Sequence, residues 1–180
     1  PLLFWSALAA PSAWLLFAAG APDADPDALV ADSGNWAIAF LIAALAVTPL
    51  TGLVPALRWL LGHRRAIGLA AFGTSMVHLI LYVMAMGALR PMLAEAGAPG
   101  IWTGWVALLL LLPLAATSSN AAMRALGRSW KRLQRLAYPA GLLALVHMAL
   151  VHDGAIIALV MGGGLLLLQT TRFTQRKAPT

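Results

Sequence analysis

Between Arg65 and Arg90 the chain runs for twenty-four residues without a carboxylate, a lysine or an arginine: AIGLAAFGTSMVHLILYVMAMGAL. As a helix rising about 1.5 Å per residue it reaches about 36 Å, enough to cross a hydrocarbon core about 30 Å thick. Lipid offers no hydrogen bonds, so a spanning segment must satisfy its own backbone. The one polar aromatic in the middle, His78, meets the same constraint and needs a partner inside the protein.

Five further apolar stretches follow this pattern, which gives spans at approximately 1–20, 36–57, 66–89, 101–117, 132–151 and 154–170. The expected fold is all-α, a six-helix transmembrane bundle forming a single integral membrane domain over residues 1–180. Composition agrees: 10% of residues are charged, against about 25% in a soluble domain. Six spans leave no room for a Rossmann or P-loop nucleotide domain. The absence of cysteine excludes disulfides, iron–sulfur clusters and cysteine-attached haem. The first span, interrupted by Pro11, lacks the charged start of a signal peptide and is read as a retained helix. Residues 21–35, with Asp23, Asp25, Asp27 and Asp32, read as an exposed acidic loop, with Ser33 or Asn35 capping span two. Trp102 and Trp105 stand where interfacial indoles belong. The run TSSNAAMRALGRSWKRLQR (117–135) reads as a short amphipathic surface helix leading into span five.

Charge distribution orients the bundle. Alternating the loops across six spans puts eleven of the twelve Lys and Arg on one side, and Arg90 with all six acids on the other. The positive-inside rule makes the basic side cytoplasmic, with both termini there. The net charge of +6 is therefore an orientation signal that meets membrane lipid, and no nucleic acid is expected as a partner.

Spans three and five run in the same direction, so depth along them compares directly. His78 lies 13 residues after Arg65 and His147 lies 12 after Arg135. Both fall about 18–20 Å from the cytoplasmic boundary. One reading is that each histidine bonds a Ser or Thr on a neighbouring helix. The other is a metal centre shared between the two helices. Zinc asks for three or four ligands and the apolar spans hold no Cys, Asp or Glu, whereas haem needs only two axial imidazoles. Gly68, Ala70, Ala71 and Gly73 of span three, with Ala140, Gly141 and Ala144 of span five, offer room for a macrocycle or serve close helix packing. His152, five residues past His147, belongs to the outer surface, and with Arg90 it is a candidate contact for porphyrin propionates. His63 reads as a solvated loop residue and the Gly162–Gly164 run as packing.

Three stretches together resemble the MsrQ (YedZ) family, the haem-binding membrane subunit of the bacterial protein-methionine-sulfoxide reductase system, within the ferric reductase-like transmembrane group. They are DPDALVADSGNWAIAFLIAALAVTPL (25–50), RRAIGLAAFGTSMVHLILY (64–82) and TSSNAAMRALGRSWKRLQRLAY (117–138) leading to His147. The resemblance implies a six-helix b-type cytochrome in the bacterial inner membrane. Such a protein relays electrons from quinol or a cytoplasmic flavin reductase to a periplasmic molybdopterin enzyme that reduces methionine sulfoxide. It also implies that catalysis resides on that partner, and that His78 and His147 are the haem ligands. The family commonly has a histidine where this chain has Gln134, so one haem b is expected here rather than two. Electrons then need another way in, for which a flavin (FMN) or quinone near Arg64, Arg65 and Trp130 is the candidate. The competing role for those cations is orientation and anionic lipid. The alternatives are a stand-alone transmembrane ferric or quinone reductase, and a cofactor-free assembly or transport protein.

Overall fold

A computed structural model describes residues 2–151 and 154–175, and all regular structure among them is helical. The elements are α1 (Leu2–Ala18), α2 (Pro26–Leu53), α3 (Leu60–Met86), α4 (Leu89–Glu95), α5 (Pro99–Ala116), α6 (Asn120–Leu126), α7 (Arg128–Leu133), α8 (Ala137–Leu150) and α9 (Ala155–Gln175). Short 3-10 turns at Pro55–Leu57 and Gln134–Leu136 join α2 to α3 and α7 to α8. Four helical stretches are long and apolar enough to cross a membrane: Pro26–Leu53, Leu60–Met86, Pro99–Ala116 and Arg128–Leu150. Leu2–Ala18 and Ala155–Thr171 are shorter apolar helices. Four of the six expected spans are thus helices long enough to cross a membrane, and the first and last fall on shorter apolar helices.

The second span begins well before the expected position 36. Asp25 accepts hydrogen bonds from the backbone N–H of Asp27 and Ala28, and Pro26 occupies the first helical turn. An acidic cap followed by proline is a strong helix start, because the side chain satisfies orphan donors and proline has none to lose. The segment taken as a loop down to Asn35 is therefore helical from Pro26, and Ser33 lies inside the helix rather than at its cap. The consequence is functional, since those added turns stand beside His78. At its other end α3 stops on Gly87, whose φ of 68° is the left-handed conformation that closes a helix.

Four helices form the centre. The antiparallel pairs α2/α3 and α5/α8 pack on each other through α2–α8 and α3–α5, with α1 lying against α2/α3 and α9 against α2/α8. Leu41, Leu45, Ala71, Leu111, Leu114 and Ala140 meet at the middle as one buried cluster. Ala71 and Ala140 are fully buried there, and a Cβ on Gly141 would come within 2.9 Å of Leu45. Among the small residues singled out from sequence, these three serve close packing. The exterior is apolar in turn, with Leu109, Leu142, Leu159 and Leu167 all more than 60% exposed. Such a surface fits lipid and not water.

Candidate functional site

Two cavities open on either side of that central cluster, and Leu41 and Leu111 line both. The first, on the acidic-loop side, is bounded by α2, α3, α5 and α8 and has His78 and His147 in its wall. The imidazole rings lie side by side across the cavity, with centroids 6.1 Å apart and planes nearly perpendicular, at 79°. Sequence depth alone placed the two residues at one level, and the fold brings them together across the bundle.

Each imidazole is held from the adjacent helix in the same way. The Nδ1–H of His78 is shared between the carbonyl of Val30 and the hydroxyl oxygen of Ser33, each at 3.0 Å, while the Ser33 hydroxyl donates to the same Val30 carbonyl at 2.8 Å. The Nδ1–H of His147 donates to the Gly100 carbonyl at 2.6 Å, and the Thr103 hydroxyl donates to that carbonyl at 2.8 Å. A carbonyl can only accept, so these bonds put a proton on Nδ1, and a neutral ring so held carries its lone pair on Nε2. Next to each hydroxyl comes a glycine pressed against the ring. A Cβ on Gly34 would lie 3.2 Å from His78 Cε1, and one on Gly104 only 2.8 Å from His147 Nδ1. Side chains larger than hydrogen would push the rings away.

This donor set fits a metal held by two axial imidazoles. Two metal–nitrogen bonds of about 2 Å and the reach across both rings sum to about 6 Å between centroids, close to the observed 6.1 Å. Neutral imidazoles with Nδ1–H bonded to a carbonyl are the usual form of a ligating histidine. Ala37, Ile38, Ala107, Leu108 and Ala144 give the cavity an apolar lining. No cluster of three or more His, Cys, Asp or Glu able to hold a metal occurs among the described residues.

The second cavity lies at the basic end and is the larger, about 780 Å³ against about 230 Å³. Arg64, Arg65, Trp130, Lys131, Gln134 and Arg135 contribute to it, and none of its described lining residues is a histidine. Several of its polar groups are engaged with backbone. Trp130 Nε1 donates to the Thr117 carbonyl at 2.9 Å, Arg65 to the Ser118 carbonyl at 3.2 Å and Gln134 to the Leu114 carbonyl at 3.4 Å. The three carbonyls lie in the last turn of α5 and the two residues that follow it, where a helix end leaves acceptors without intrahelical partners and favours positive charge; the Leu114 carbonyl also accepts from the Ser118 hydroxyl at 2.6 Å. Arg64 donates to the Ala44 carbonyl at 3.1 Å and to Thr48 at 3.3 Å.

Two expected site residues remain, Arg90 and His152. Arg90 is exposed on α4 and is not among the described residues lining either cavity. His152 lies outside the described residues. Ser33, Gly34, Thr103 and Gly104 were not singled out as site residues from sequence, although the paired Ser-Gly and Thr-Gly steps were a readable signal.

The family described as "Ferric reductase like transmembrane component" matches residues 33–151. A protein-methionine-sulfoxide reductase heme-binding subunit MsrQ from Bordetella pertussis is 41% identical over 156 residues, covering 82% of this chain and 73% of that protein. Proteins of the same name from Ralstonia nicotianae and Rhizobium meliloti are 40% and 42% identical over 119 and 120 residues, covering 64% and 65% of this chain. The chain spans just over half the length of those two relatives, 54% and 55%. No solved structure matches.

Proposed function

Because the chain belongs to the MsrQ family, within the ferric reductase-like transmembrane group, we propose that it is a haem-binding membrane subunit relaying electrons to a methionine sulfoxide reductase. The observation that carries this reading is the pair of neighbouring imidazoles, 6.1 Å apart, each with Nδ1–H given to a backbone carbonyl. His78 and His147 are the proposed axial ligands of one haem b. Bound there, haem would supply a one-electron couple inside the bundle.

The chain's own part is to hold two neutral imidazoles at fixed tautomer and to keep water out. The carbonyls of Val30 and Gly100 fix each ring through Nδ1. With both imidazoles as ligands the iron would have no open position for a substrate, which would suit electron transfer and not oxygen binding. The apolar lining lowers the local dielectric around the centre, and the hydrogen bonds to the ligand rings tune its potential.

The wider reading is of a single membrane domain with six spans in the bacterial inner membrane, its basic face and both termini cytoplasmic. The donor is quinol or a cytoplasmic flavin reductase and the acceptor a periplasmic molybdopterin-containing reductase. Arg64, Arg65 and Trp130, at the cytoplasmic cavity, are where FMN or quinone would pass electrons in. Arg90 and His152 are candidates for the propionates on the outer face. A stand-alone ferric or quinone reductase is the second reading, supported by the family match shared with that wider group.

The test is an absorption spectrum of the purified chain, oxidised and reduced, with haem quantified per chain. A low-spin b-type spectrum lost in both His78→Ala and His147→Ala supports the ligand assignment. Its persistence in either variant contradicts it.

A further inference from the structure

The two histidines sit in matching cradles built from unrelated stretches of chain. In α2 the acceptor is Val30, the hydroxyl is Ser33 three residues on, and the contact glycine is Gly34 at the fourth. In α5 the same order is Gly100, Thr103 and Gly104. Three- and four-residue spacings put all three groups on one helix face, so each helix presents a carbonyl, a hydroxyl and a bare patch of backbone to one imidazole. Ser33 and Thr103 are both buried, at 0% and 4% exposure. A hydroxyl could stay satisfied by its own helix anywhere, but here both donate to the carbonyl that receives Nδ1–H.

We infer that Ser33 and Thr103 are positioning residues that set how strongly the two imidazoles donate to the metal, with Gly34 and Gly104 fixing the ring positions. This rests on the proposed axial roles of His78 and His147. The physical cause is competition at one acceptor. A hydroxyl donating to a carbonyl draws electron density from it and weakens its hold on the second donor, the Nδ1–H. A weaker Nδ1–H bond leaves the ring less imidazolate-like and a poorer donor at Nε2, which favours the reduced metal.

The cradles differ in strength. The His147 bond is the shorter, 2.6 Å against 3.0 Å. The Thr103 proton is divided between the carbonyls of Gly100 and Pro99, at 2.8 and 3.0 Å. Ser33 Oγ is itself within 3.0 Å of His78 Nδ1, so removing it deletes an acceptor as well as a competitor and the two effects oppose. Thr103 is therefore the stronger lever.

The experiment uses the full chain in detergent, with redox potentiometry and EPR of the haem-loaded form and ¹⁵N-histidine NMR of the haem-free form. Thr103→Val, which keeps the volume, is expected to lower the midpoint potential at unchanged haem content. It should also move the His147 Nδ1–H proton downfield in the haem-free protein. Thr103→Ser should restore both values, and Ser33→Ala should move the potential, and the Nδ1–H shift of His78, less than Thr103→Val moves the potential and the shift of His147. An unchanged potential and Nδ1–H shift in Thr103→Val overturns the inference while leaving the haem assignment standing. Loss of the His78 and His147 ligand signals from the wild type defeats the haem assignment instead, and the haem-free NMR then still reads the cradle. A Thr103→Val chain that loses its fold is replaced by Thr103→Ala, read by the same NMR shift.

Discussion

The two cavities share a wall at Leu41 and Leu111 and are flanked by the same four central helices, yet their polar groups do different work. At the histidine end, backbone carbonyls of α2 and α5 are spent on orienting side chains, and the side chains lie side by side across a gap. At the arginine end side-chain N–H groups again donate to backbone carbonyls, but there Trp130, Arg65 and Gln134 are spent on acceptors at or just past the end of α5. Volume does not distinguish a ligand site, because the larger cavity is the one whose described lining carries no imidazole. The first cavity is set apart instead by two carbonyl-bonded imidazoles in its wall.

The largest expected effect follows at once. His78→Ala or His147→Ala should cut haem per chain by at least about tenfold, since removing a ligand costs more than the 10–100-fold typical of outer partners. Arg65→Ala should leave haem content unchanged. Haemochrome quantification of purified variants reads both.

A converse test installs what the basic cavity lacks. Arg65 and Gln134 lie 13 residues before His78 and His147 respectively, and both line that cavity. The double variant Arg65→His/Gln134→His should raise haem from one per chain toward two. A stoichiometry that stays at one means that ring orientation by neighbouring carbonyls, and not imidazole supply, limits the site.

Two glycines give a smaller contrast. Gly104→Ala drives a methyl to within 2.8 Å of the His147 ring and should cost about 1–3 kcal/mol by overpacking, along with weakened haem retention. Gly68 lines the basic cavity and a Cβ there meets nothing within 4 Å. Gly68→Ala should be neutral or stabilising by up to about 1 kcal/mol through helix propensity. Thermal unfolding in detergent compares them. The smallest effect is Gln134→Ala, whose bonds at 3.4 and 3.5 Å are long enough that the loss should stay below about 1 kcal/mol.

Much of this was legible in the chain. Depth measured from Arg65 and Arg135 is a property of helical rise, so the meeting of His78 and His147 could be read by counting. The start of α2 was missed because four aspartates among Pro and Gly read as a solvated loop, whereas Asp25 followed by Pro26 is a cap. That error hid Ser33 and Gly34, which reach His78 only once the helix extends back to them. Thr103 and Gly104 were hidden for another reason. Which face of α5 meets α8 depends on the pairing of helices, and an apolar span rich in leucine carries little rotational signal. Gln134 was noticed as a departure, but its service to the end of α5 needed the turn at Gln134–Leu136 to be seen.

Haem stoichiometry combined with low-temperature EPR of the oxidised, full-length chain decides between the two cavities. One low-spin centre per chain is expected; if the 79° between the His78 and His147 rings is kept when haem binds, its signal should show the strong anisotropy of nearly perpendicular imidazole ligands. Two centres per chain, or a single one that survives His147→Ala, would contradict the division of labour between the histidine and arginine ends.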